Sequence, residues 1–83
     1  MPHHEVKKSI DQLKGELEQT PQETGLFEET LEAAKEGIEH YTPEAVKDLV
    51  QILQREADEF EVEHPSITAL INSVMTSLSN LGI

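Results

Sequence analysis

The sequence predicts an all-α protein, a small antiparallel bundle of about four short helices. Three observations carry that prediction. Apolar residues recur at steps of three and four along most of the 83-residue chain, the spacing of one helical face. No window alternates apolar and polar residues as a half-buried strand would. Prolines at 21, 43 and 65 fall where helices are due to begin, and proline is favoured in a first turn because its missing N–H would have no intrahelical partner there.

The first helix carries Val6, Ile10, Leu13 and Leu17. The second carries Phe27, Leu31, Ala34, Ile38 and Tyr41, with Leu26 beside them. Its start is expected at Thr20-Pro21-Gln22-Glu23, where a threonine N-cap, a proline at the first helical position and a glutamate able to return the capping bond coincide. The alternative is a start one turn later, at Gly25. Thr42-Pro43-Glu44 opens the third helix, which uses Val46, Leu49, Val50, Leu53, Ala57 and Phe60. His64-Pro65-Ser66 separates it from the fourth, because the residue before a proline is pushed out of the α region. The fourth uses Ile67, Leu70, Ile71, Val74, Met75, Leu78 and Leu81. Phe60, His64, Ile67, Ile71 and Val74 keep helical spacing through the boundary, so the alternative is three helices, the last long and kinked at Pro65 at a cost of about 3 kcal/mol. Gly82 and Ile83 read as a Schellman stop, with Ile83 against Leu78.

Residues 1–83 make one domain. A chain this short buries only about 60–65% of its unfolded surface, so a monomer would be marginal unless stapled or oligomeric. With no cysteine, disulfides, thiolate nucleophiles and sulfur-rich metal sites are excluded. Seventeen acids against six Lys and Arg give a net charge of -11, which repels phosphate backbones and anionic headgroups, so neither nucleic acid nor a membrane surface is an expected partner. Residues 64–83 carry no Asp, Glu, Lys or Arg, but eight of those twenty are Ser, Thr or Asn, too polar to span a bilayer. The start of the chain lacks the apolar run of a signal peptide, and a cytoplasmic location is expected.

Catalytic and metal chemistry find little to stand on. Glu61 and His64 match the Glu-x-x-His pattern of di-iron bundles, but that site needs a second copy, and none occurs. Glu36 and His40 lie four apart on a face already crowded with glutamates, which reads as a solvated surface. His3 and His4 sit at a terminus, where loss of Met1 would leave a histidine third, a copper or nickel chelate pattern. The serines of the last helix have no Lys or acid in their segment, and the glycines at 15, 25, 37 and 82 form no phosphate loop. No enzyme activity, catalytic residue or cofactor is expected. The run Glu56, Asp58, Glu59, Glu61 and Glu63 is either a solubility device at the negative end of a helix dipole or a docking site for a basic partner or divalent cation.

The fourth helix is different, because its outer face is expected to show Thr68, Asn72, Ser73, Thr76, Ser77 and Asn80, with no charge. Interface cores are depleted in charge, so Ile67, Ile71, Val74, Met75, Leu78, Thr68 and Asn72 are the candidate interface residues. A homodimer is expected, with an unidentified protein as a further partner; the alternative is a bundle that binds a metal or divalent cation through Glu61, His64 and the acidic run.

The block Phe60 to Thr68, followed by Leu70, Val74, Leu78 and Leu81-Gly82-Ile83, resembles the bacterial family named domain of unknown function 4404. Leu13, Glu16, Leu17 and the stretch Glu18 to Pro21 are similar as well, and the connection between the second and third helices is shorter than that family's pattern. The resemblance implies a small acidic cytoplasmic helical protein and supplies no activity or catalytic residue.

Overall fold

Helical periodicity becomes four helices in the computed structural model, which describes residues 2–20 and 24–81: α1 (Pro2–Glu18), α2 (Gly25–Gly37), α3 (Pro43–Phe60) and α4 (Pro65–Ser79), with a 3-10 turn at Ile38–His40. No strand occurs among the described residues.

Each boundary has a local cause. Thr42 caps α3, its Oγ1 accepting the Ala45 N–H at 3.1 Å, with Pro43 next to it. α2 starts at Gly25, a turn later than the Thr20-Pro21 grammar suggests and at the expected alternative start. The Thr20 hydroxyl instead donates back to the Leu17 carbonyl at 3.0 Å and finishes α1. Thr24 precedes α2, and its hydroxyl donates to the Glu28 carboxylate at 2.9 Å while its carbonyl accepts the Glu28 N–H. Pro21, Gln22 and Glu23 lie outside the described residues, as do Gly82 and Ile83 with their expected stop. At its far end α2 tightens into the 3-10 turn, and the Tyr41 ring lies so near Gly37 that a Cβ there would be 3.3 Å from it.

Pro65 separates two helices and does not kink one. The His64 N–H donates to the Phe60 carbonyl and completes the last turn of α3, whereas His64 itself has φ -137 and ψ 69, outside the helical region. α4 then folds back along α3, where the Thr68 hydroxyl donates to the Ala57 carbonyl at 3.1 Å.

The closest packing is of α4 against α3 and α1, and of α1 against α2. The direction alternates up and down, since Lys7 reaches Glu39, Asp11 reaches Lys35 and Lys14 reaches Glu32. All four helices send their predicted stripes inward. Val6, Ile10, Leu13 and Leu17 meet Phe27, Leu31, Ala34 and Ile38 of the second segment, with Leu53 from α3 and Ile71 from α4 among those fully buried. Leu26 is the exception, 80% exposed. No helix of the described residues is long and apolar enough to cross a membrane.

Candidate interaction surface

The predicted ligand residues do not assemble a metal site. Glu61 follows α3 and is exposed, and the His64 ring packs edge-on to Phe60 with centroids 5.9 Å apart. Among the described residues no group of three or more His, Asp or Glu stands close enough to hold a metal. Glu36 and His40 are exposed on α2 and the turn after it, and His3 and His4 stand in the first turn of α1.

The acidic run is not one cluster either. Helical spacing sends Glu56 and Glu59 to the α2 side, where they line a groove of about 300 Å³ with Thr24, Leu26, Phe27, Thr30, Ile52 and Arg55. Burial pushes the Glu56 carboxyl above the ordinary range, with the Glu59 charge adding to the shift and Arg55 opposing it. Asp58 leaves α3 on another side, where it accepts a bond from Gln54 at 3.2 Å. Glu61 and Glu63 fall in the turn, beside a Val62 that is 88% exposed.

Sequence reasoning missed the α1–α2 seam. Lys7, Asp11 and Lys14 alternate in sign along α1, and Glu39, Lys35 and Glu32 answer them from the facing strip. The signal was legible as alternating charge at steps of four and three. Lys14 holds the Glu32 carboxyl below its ordinary range, and the Asp11 carboxylate raises the Lys35 ammonium.

The fourth helix needs two corrections. Ile67, Ile71, Val74 and Leu78, expected at an interface, form the buried side of α4 in the chain's own core, because an apolar stripe in a bundle faces the bundle axis. Met75 is half-buried beside them. Thr68 and Ser77 are flanks and not outer face: Thr68 bonds Ala57 on α3, and the Ser77 hydroxyl lies 3.2 Å from that of Ser9 on α1. The outer face is therefore Ala69, Asn72, Ser73, Thr76 and Asn80, all exposed and none ionisable. Beside it, Val46, Lys47 and Val50 line a hollow of about 340 Å³ with Gln51, Leu78 and Ser79.

The family model for the domain of unknown function DUF4404 matches residues 6–83. The chain belongs to the DUF4404 family. No curated protein and no solved structure matches it. In this DUF4404 chain two surfaces contrast: acids occupy the α2–α3 groove and the Glu61–Glu63 turn, whereas the outer face of α4 shows solvent Ala69 and the small polar side chains of Asn72, Ser73, Thr76 and Asn80, none of them ionisable.

Proposed function

We propose that this DUF4404 chain is a non-enzymatic, cytoplasmic, self-associating module that binds a second copy through the outer side of α4. The observation that carries the reading is the absence of any ionisable side chain on α4 in a chain of net charge -11. Two such chains repel wherever acids meet, and desolvating unpaired carboxylates adds a further penalty. Around Asn72, Ser73 and Thr76 neither cost arises. Hydroxyl and amide groups there pair equally well with their own kind. A small core gives the second copy an energetic role as well, because association buries surface that a chain of this length leaves exposed.

Sedimentation equilibrium at micromolar concentration tests this. The expected result is a mass of twice 9.3 kDa, lost in a Ser73→Glu variant that places a charge in the middle of the face. A wild-type monomer overturns the reading.

A further inference from the structure

The packing register of α3 against α4 constrains how two copies meet. Ala57 lies beside Thr68, and Val46 and Lys47 share a hollow with Leu78 and Ser79, so the two helices run antiparallel and level along their length. On α3 the flank next to the outer face of α4 carries Lys47, Gln51, Gln54 and Asp58, all exposed. Steps of four, three and four place them in one stripe. The stripe has a cation at one end, two amides in the middle and an anion at the other end. Its midpoint, between Gln51 and Gln54, is level with Asn72 and Ser73, the middle of the charge-free face.

We infer that two copies pair about a two-fold axis at this level, α4 antiparallel to α4 and α3 to α3, so that Lys47 of each protomer meets Asp58 of the other. A two-fold contact sets one surface patch against itself, and a patch is self-complementary only if the rotation carries positive onto negative. The stripe on α3 satisfies that condition, and the same rotation sets Gln51 against Gln54, whose amides both donate and accept. The carboxylate of Asp58 has acceptor capacity beyond the bond it takes from Gln54. The same steps continue the line beyond the stripe to Glu44 and Glu61, which the rotation sets like charge to like at the two ends of the contact, farther from the axis than the Lys47–Asp58 pairs.

The other flank of α4 fails the condition. Ser9 meets Ser77 there, and the residues in line with Ser9 on α1 are Glu5, Gln12 and Glu16. That line holds two anions and no cation, so no two-fold rotation can carry positive onto negative within it. Area is sufficient on the α3 side: a standard interface takes about 800 Å² from each partner, roughly one-sixth of this chain's 5158 Å² surface and about the share of one side of a four-sided bundle.

The inference rests on the self-association proposed above, and charge reversal separates the two. Lys47→Glu and Asp58→Lys, each made in the full chain, should each raise the dimer dissociation constant on the order of tenfold in sedimentation equilibrium, because every substitution acts twice per dimer. The double variant should return to within about threefold of wild type. Asp58→Lys is the sharper arm. It removes two units of negative charge from each copy, so generic repulsion predicts tighter association and the Lys47–Asp58 pairing predicts weaker. Unchanged helical circular dichroism shows that the fold survives each change. A wild-type dimer that Asp58→Lys strengthens, or singles that the double variant does not rescue, overturns this register and leaves self-association standing; a monomeric wild type overturns both.

Discussion

α2 presents one flank to α1 and the other to α3, and among the described residues only the first seam is closed by charge. Toward α1, three ion pairs alternate in sign along antiparallel strips, using three of the chain's six basic side chains. Toward α3 lies a groove edged by Glu56 and Glu59, with Arg55 nearby and Ile52 partly uncovered. In a chain with seventeen acids, the placement of its few bases decides which helix faces come together. Exposed pairs are individually worth only ~0.2–1 kcal/mol, so they set the alignment of α1 and α2 more than they hold it. The apolar residues beneath do the holding.

The largest effect should therefore come from the core under the closed seam. Leu31→Ala removes a fully buried side chain and should cost about 2–5 kcal/mol, most of the stability of so small a domain. Ile52→Ala, at the open groove, should cost about 1 kcal/mol, because a partly uncovered side chain loses less transfer energy and leaves no closed cavity. Urea unfolding at one fixed protein concentration measures both. Equal losses would mean that the groove is packed as tightly as the seam, and the contrast would fail.

How far the sequence announced this contrast depends on the physics of each part. The stripes at steps of three and four named almost the whole core, since burial acts on every turn and leaves a periodic record: Ile10, Leu31, Leu53 and Ile71 are fully buried. Thr42-Pro43 announced α3 correctly because its capping bond is local. Thr20-Pro21 misled, because the same residue types also end helices, as Thr20 does when it bonds Leu17. The surface was harder to read. Periodicity says that a residue faces inward or outward but not which neighbour stands beside it, so Thr68 and Ser77 passed for outer face until α3 and α1 were in place. The Glu56–Glu63 run looked like one site in sequence and divides among three directions in space.

A middle-sized effect should appear on acidification, with opposite signs on the two flanks. The folded-state pKa of Glu56 is raised, so the folded chain binds its proton more readily than the unfolded chain, and stability contributed by Glu56 grows as pH falls from neutral toward that raised value. The folded-state pKa of Glu32 is lowered, so its contribution is present above the ordinary 4.5 and is lost as pH falls further. Melting midpoints should thus rise modestly from pH 7 toward pH 5 and fall below pH 4. In Glu56→Gln the rise should shrink, and at pH 7 the variant should be more stable than wild type by a few tenths of a kcal/mol after solvent screening. A Glu56→Gln variant less stable than wild type at pH 7 would show that the groove welcomes the charge.

The smallest effect should be that of salt, where the two flanks compete within one measurement. Screening weakens the α1–α2 pairs, which are short contacts such as Lys35 to Asp11 at 2.7 Å, and it also weakens the mutual repulsion behind a net charge of -11. Distance decides between them. At 0.1 M salt the screening length is about 10 Å, and the molecule measures 33 × 19 × 19 Å, so most of the repulsion acts over distances that salt screens well while the contact pairs are screened least. The melting midpoint should therefore rise by a few degrees between low and moderate sodium chloride. Lys35→Gln sharpens the test, because deleting one seam cation removes attraction and adds net negative charge, so its midpoint should rise more steeply with salt than wild type. A wild-type midpoint that falls would mean that the seam, and not the repulsion, dominates the electrostatics of this fold; a Lys35→Gln slope no steeper than wild type would mean that the seam contributes nothing that salt can reach.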